Sequence, residues 1–142
     1  MCYVLRVMSD KLTIYSDGGA RGNPGPAGIG AIAYDEEKNK VFEISEYIGE
    51  TTNNQAEYRA VIAGIKKAQE LGVKEVDFFL DSELVVKQLN REYKVKNQEL
   101  APLFVQIYNA SLGFKKIRFH HVRREFNKEA DRLANEAMDR GV

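Results

Sequence analysis

The sequence predicts an α/β fold: a mixed β-sheet with helices on its faces. Three observations predict it. The hydrophobic period switches between 2 and 3.6 along the chain, giving the order βββαβααβα. The first three strand-like segments are separated only by glycine-rich or polar turns, as in an antiparallel meander. A later segment, VDFFL (76–80), is almost wholly apolar, which suits a strand covered on both faces.

Each element follows from local pattern. Residues 11–16 alternate, with Leu12 and Ile14 on one side and Thr13 and Tyr15 on the other. IGAIAY (29–34) and VFEISEYI (41–48) read as the next two strands, joined by the turn DEEKNK. From about 54 the period is helical, with Ala56, Ala60, Ile65 and Ala68 near one stripe and Gly72 as the stop. After strand 76–80, helices are expected over 83–90 and 99–112, the second with Pro102 in its first turn. KKIRFHHV (115–122) alternates again. The last helix, 128–140, places Ala130, Leu133, Ala134 and Ala137 at i, i+3, i+4 and i+7. No repeat, linker or low-complexity segment interrupts the chain. One domain over 11–142 is expected, preceded by an N-terminal extension, 1–10.

Composition narrows the function. The 142 residues are 44% hydrophobic, enough for a sizeable core. Twenty-one basic residues balance 21 acidic ones, which argues against a generally basic nucleic-acid coat but leaves a local patch open. The single cysteine, Cys2, excludes a disulfide framework and a thiolate zinc cluster. Residues 1–10 lack the apolar core and cleavage site of a signal peptide, and no apolar run approaches the ~18 residues of a membrane span. A soluble, cytoplasmic monomer without a membrane partner is the expectation.

The stretch IYSDGGARGNPGPAGIG (14–30) invites a phosphate-cradle reading, and the details oppose it. Gly28-Ile29-Gly30-Ala31-Ile32-Ala33 formally fits the dinucleotide fingerprint G-x-G-x-x-G/A, but that mechanism needs a helix opening inside the motif. Here the segment ends as a short apolar run at Asp35. Pro24 and Pro26 also remove backbone donors from the loop. A tight reversal between strands explains these glycines better.

Four carboxylates stand where an acid is not the easy choice. Asp17 ends the first strand, and Asp81 ends strand 76–80. Glu57 lies in the first turn of the helix introduced by TTNNQAE, and Asp131 lies beside the apolar stripe of the last helix. Each has an ordinary explanation. Asn54-x-x-Glu57 resembles a capping box. Asp81 or Ser82 can N-cap the following helix, Asp17 can be a turn residue, and Asp131 can be solvated. Jointly they read differently. If strands 11–16 and 76–80 are neighbours, Asp17 and Asp81 emerge side by side, and the two helices can bring Glu57 and Asp131 to the same place. Clustered carboxylates repel one another, and a hard divalent cation relieves that repulsion. Acids around two ions suit in-line displacement at phosphorus.

With these residues assembled, the chain resembles type 1 ribonuclease H from about 11 to 140. Four blocks carry the resemblance in order and spacing: YSDGGARGNPGPAGIGAI, TTNNQAEYRAVIAGI, DSELVVKQLN and NKEADRLANEA. The resemblance implies a five-stranded mixed sheet with its first three strands antiparallel, flanked by helices. It implies that Asp17, Glu57, Asp81 and Asp131 bind metal, with Mg²⁺ or Mn²⁺ as cofactor and two ions per site. The implied reaction is hydrolysis of the RNA strand of an RNA/DNA hybrid, leaving 5′-phosphate and 3′-hydroxyl ends. Asn23, Asn53 and Asn54 match positions that read the minor groove, where the 2′-hydroxyl separates RNA from DNA. Thr52 matches a residue that holds a phosphate of the DNA strand, and Ser82 is counted among the substrate contacts. Gly18 and Gly19 are expected to keep the backbone bare so that a nucleic-acid strand can lie against it.

The chain departs from the family pattern in three places, which suggests a compact, archaeal-like branch. The loop that carries a mobile histidine in many members reads HVRREFNKEAD here, with Arg124 and Glu125. Arg124 is assigned to steady the scissile phosphate or leaving group, with a structural ion pair as the alternative; His120 and His121 belong to the preceding strand. REYKVKNQE is too short for the basic handle of some relatives, so KKIRFHHVRR (115–124), with five fixed positive charges and two histidines, is expected to grip substrate. Glu83 replaces a glutamine, and a carboxylate cannot donate to a base. The alternatives are a relaxed nuclease that also cuts double-stranded RNA and a non-catalytic hybrid-binding module.

Overall fold

The computed structural model describes residues 10–141. Cys2 and the expected N-terminal extension, apart from Asp10, lie outside the described residues. The elements run β1 (Lys11–Ala20), β2 (Gly25–Tyr34), β3 (Lys40–Thr51), α1 (Asn53–Leu71), β4 (Glu75–Leu80), α2 (Glu83–Leu89), α3 (Ala101–Ser111), β5 (Lys116–His121), a 3₁₀ turn (Arg124–Phe126) and α4 (Lys128–Arg140). That is the order the periodicity predicts.

The strands form one five-stranded sheet in the order β3-β2-β1-β4-β5. β1, β2 and β3 pair antiparallel, while β1/β4 and β4/β5 pair parallel. The first three strands are longer than the alternation suggests. β1 runs on through Gly18 and Gly19, and β2 begins at Gly25, so the reversal occupies only residues 21–24. Small residues carry no alternation signal but still pair through their backbone. Gly28 to Ala33 is accordingly strand throughout, with no helix opening in it.

Helices settle on both faces. Leu12 and Ile14 of β1 and Val76, Phe78 and Leu80 of β4 bury against Tyr58, Val61 and Ile65 of α1. Full burial of each large apolar side chain contributes roughly 1.5–3 kcal/mol. α1 ends where Gly72 takes a left-handed conformation, φ 73°, and returns its N–H to the carbonyls of Ala68 and Gln69. On the opposite face α4 lays Ala130, Leu133, Ala134 and Ala137 across β1–β3.

The outer face of β4 corrects one expectation. Among the described residues no helix covers it, because α4, which lies on this same face, packs over β1–β3. Asp77 instead faces Lys11, Arg118 and His120, and Phe79 stacks between Tyr15 and His120, with ring centroids 5.1 and 4.8 Å away. The single acid in VDFFL is the sequence trace of that open face. The connection between α2 and α3 spans 90–100 without a helix, so no long handle is built.

Candidate active site

β1 and β4 run parallel with Tyr15 opposite Phe79, so Asp17 and Asp81 leave the sheet side by side at one end. α1 begins beside them. Its cap is Thr52, whose hydroxyl accepts from the Gln55 N–H at 3.2 Å. Asn54 is therefore already helical, the capping box does not form, and Glu57 falls just beyond the first turn rather than within it. The helix lies very close to β1. A Cβ at Gly18 would come within 2.3 Å of the Ala56 carbonyl and 2.6 Å of the Glu57 nitrogen. Gly18 thus has a packing role: its bare Cα admits α1 and brings Glu57 to Asp17. Gly19 has more room, with Met138 Cε at 3.5 Å.

α4 comes as near to β2. Cβ atoms at Gly30 and Gly28 would meet the carbonyls of Ala130 and Ala134 at 2.3 and 2.7 Å. The apparent dinucleotide glycines are thus the seat of α4, and that seat carries Asp131 to the cluster.

One carboxylate oxygen each from Asp17, Glu57 and Asp81 lie within 4.8 Å of one another. Asp131 lies outside that tight set but lines the same cleft, near enough for its carboxyl to help raise Asp17. Burial, then the charge of Asp81, pushes the Asp17 carboxyl from 3.8 up to about 7. Burial, then the Asp17 charge, pushes Glu57 well above its ordinary 4.5. Among the described residues, Glu57 Oε2 is buried without a hydrogen-bond partner. A buried, unpaired acceptor beside two more carboxylates is a poor arrangement alone and a good one around a hard divalent cation. The residues fit the group.

Gly18, Asn53, Asn54, Ser82 and Arg124 line the cleft with the four acids. Arg124 is exposed, and among the described residues it makes no ion pair. Ser82 caps α2, accepting from the Val85 N–H at 3.3 Å. Asn23 and Thr52 stand behind the rim. The Asn23 side-chain oxygen accepts from the Asn53 N–H at 3.1 Å, and the Asn53 oxygen accepts from the Ala20 N–H at 2.8 Å. These bonds tie the β1–β2 turn to the start of α1. Glu83 turns to Lys87, 3.4 Å away.

The basic stretch 115–124 does not act as one grip. Alternation sends Arg118 and His120 to the outer sheet face, where Asp77 holds both. Lys116 pairs in register with Glu75, at the end of the sheet remote from Asp81. Of the residues 115–124, Arg124 alone lines the cleft. Four residues that the sequence reading did not single out belong here. Arg21, Asn135 and Met138 line the cleft. Asn127 is buried, its Nδ2 donating to the Ser16 carbonyl at 3.0 Å and reaching Asp81 Oδ2 at 3.5 Å. An asparagine before a helix looks like an ordinary cap, so Asn127 gave no separate signal.

A sheet of this order, with acids delivered by β1, α1, the end of β4 and α4, defines the ribonuclease H-like class of folds. Residues 15–137 match the family described as reverse transcriptase-like. The bifunctional protein Rv2228c of Mycobacterium tuberculosis is 46% identical over 130 residues, covering 91% of this chain. The chain spans only 36% of that relative's length. The structure of RNase H1 from the halophilic archaeon Halobacterium salinarum superposes with a TM-score of 0.89 at 38% identity, covering 92% of this chain and 98% of that one. LC11-RNase H1, isolated from compost and solved in complex with an RNA/DNA hybrid, superposes with a TM-score of 0.87 at 46% identity, covering 91% of this chain and 97% of that one. The chain belongs to the ribonuclease H family.

Proposed function

We propose that this domain is a divalent-metal-dependent endoribonuclease that hydrolyses the RNA strand of RNA/DNA hybrids, leaving 5′-phosphate and 3′-hydroxyl ends. One observation carries the reading: Asp17, Glu57 and Asp81 bring one carboxylate oxygen each within 4.8 Å of one another, and Glu57 Oε2 is buried without a hydrogen-bond partner among the described residues. A non-catalytic binder gains nothing from such a cluster facing phosphates. Asp17, Glu57, Asp81 and Asp131 would hold the ions. Mg²⁺ or Mn²⁺, two per site, would supply an acidified water and compensate charge on the leaving oxygen.

The chain's own side chains do the rest. Arg124 presents a permanent positive charge at the cleft rim, suited to a phosphate oxygen. Asn53 and Asn54 offer amides to a minor groove, and the Asn23–Asn53 bond fixes the orientation of that edge. Thr52 and Ser82 accept the cap bonds of α1 and α2 through their hydroxyl oxygens, and each O–H is still a donor suited to a phosphate oxygen. The hybrid bound by LC11-RNase H1 supports the choice of substrate.

The test is cleavage of labelled RNA/DNA hybrid, duplex RNA and duplex DNA, in Mg²⁺ and in Mn²⁺, by the wild type and Asp17→Asn. The wild type should cut the RNA of the hybrid, and the variant should lose at least about 10³-fold in rate. Undiminished cleavage by Asp17→Asn removes the mechanism. Equal cutting of duplex RNA makes the domain a relaxed nuclease.

A further inference from the structure

We propose that Asn127 is a positioning residue for the carboxylate cluster, its buried amide fixing Asp81 against the end of β1 and against the start of α4. The proposal rests on the nuclease reading above. An asparagine in front of a helix ordinarily accepts a hydrogen bond from an N–H of the first turn. Asn127 makes no such bond, although it is the N-cap of α4. Its Nδ2 turns inward instead, donating to the Ser16 carbonyl at 3.0 Å and reaching Asp81 Oδ2 at 3.5 Å.

The connections converge on the site. Ser16 immediately precedes Asp17, so the first bond pins the strand end that carries that acid. The second engages one oxygen of Asp81 and limits rotation of its carboxylate. The Asn127 backbone carbonyl accepts from the Asp131 N–H at 3.1 Å, so the helix carrying Asp131 starts from the same residue. Asn127 therefore touches, or is hydrogen-bonded next to, three of the four acids while lining none of the cleft.

Its burial argues against a simple packing role. Asn127 is 1% exposed, and its Oδ1 is buried without a hydrogen-bond partner among the described residues. An orphaned buried acceptor is a cost to the fold that a leucine, with the same branching and no polar atom, would avoid. A half-satisfied amide at such a position is explained by the bonds its nitrogen makes. Groups that orient ligands in this way typically change metal affinity or turnover by about tenfold to a hundredfold when removed.

Two variants test this. Asn127→Leu removes the donor and the orphaned acceptor together, while Asn127→Ala removes the whole amide without adding bulk or charge beside Asp81. Three quantities are measured beside the wild type: the metal-free melting temperature, the Mn²⁺ and Mg²⁺ dissociation constants by calorimetry, and kcat and KM on a labelled hybrid. Asn127→Leu should melt within a few degrees of the wild type, or above it. In both variants ion affinity and kcat should fall about tenfold or more, with KM changed less than about threefold. If Asn127→Leu does not fold, Asn127→Ala decides the same question. Folded variants with wild-type ion affinity and kcat overturn the proposal, as does a loss of stability with ion affinity unchanged. A wild type that binds no divalent ion and cuts no hybrid overturns the nuclease reading itself. A wild type that does both, matched by its variants, overturns only the role of Asn127.

Discussion

Asp77 and Asp17 sit on the same sheet, both almost buried, and their carboxyls move in opposite directions. Burial raises both, but around Asp77 it is outweighed by His120 at 2.8 Å, Lys11 at 3.1 Å and Arg118 at 3.3 Å, and its carboxyl settles below the ordinary 3.8. Asp17 has other acids for company and moves up. A lowered folded value means that the Asp77 contribution to stability is present above the unfolded value of 3.8 and is lost as pH falls through the folded one. Asp77→Asn should therefore lower the melting temperature at pH 7 by several degrees, since hydrogen bonds to a charged group contribute about 1.5–3 kcal/mol. The gap from the wild type should close in acid below 3.8, and hybrid cleavage should be unaffected. Thermal melts across pH check this, and coincident melts at pH 7 refute it. In the sequence Asp77 is one polar letter in an apolar run. Nothing local says that a cationic neighbour waits on each adjacent strand.

At the scale of elements, the site depends on how closely two helices approach the sheet. The order of elements was legible because each is set by its own period: alternation in KLTIYS, helical spacing in ALA-rich EADRLANEA, and a stop at Gly72. The four carboxylates were legible because acids at strand ends and beside apolar stripes stand out. The approach distances were not. Gly18 is close to Ala56, and Gly30 to Ala130, only after the chain has folded back on itself, and no neighbouring letter announces either crossing. Adjacent glycines allow a direct comparison. Gly18→Ala must push α1 away from β1, displacing Glu57, whereas Gly19→Ala meets only the flexible end of Met138 at 3.5 Å. Gly18→Ala should lower the melting temperature by at least about 5 °C and cut kcat at least about tenfold, in line with the 1–3 kcal/mol of overpacking. Gly19→Ala should melt within about 2 °C of the wild type. Equal melting of the two variants would mean that α1 tolerates a shift, and the account of Gly18 would be wrong.

For the molecule as a whole, the cluster makes folding, pH and divalent cations one linked equilibrium. In the metal-free protein Asp17 holds its proton up to about 7, while the unfolded chain releases it near 3.8. The folded state binds more protons in that window, so this contribution to stability falls as pH rises from 3.8 towards 7, and Glu57 acts in the same direction. Above about 7 Asp17 is ionised and repels Asp81. A cation that binds only the folded, ionised cluster adds stability in proportion to the logarithm of its concentration over its dissociation constant. Protons and cations therefore compete for the same oxygens. Millimolar Mg²⁺ should raise the melting temperature by several degrees at pH 8 and by much less at pH 5, at about 2–4 °C per kcal/mol for a chain of this size. Asp17→Asn removes one repelling charge, so with chelator at pH 8 it should melt above the wild type, and added Mg²⁺ should move it little. The two proteins should exchange rank once Mg²⁺ is present, since the substitution that relieves the empty cluster is the one that spoils it for a cation. Paired melts, with chelator and with Mg²⁺ at both pH values, provide the measurement. A Mg²⁺ response equal at pH 5 and pH 8, or a variant that melts below the wild type in chelator, would mean that the carboxylates are not held in repulsion by the β1–α1 and β2–α4 crossings.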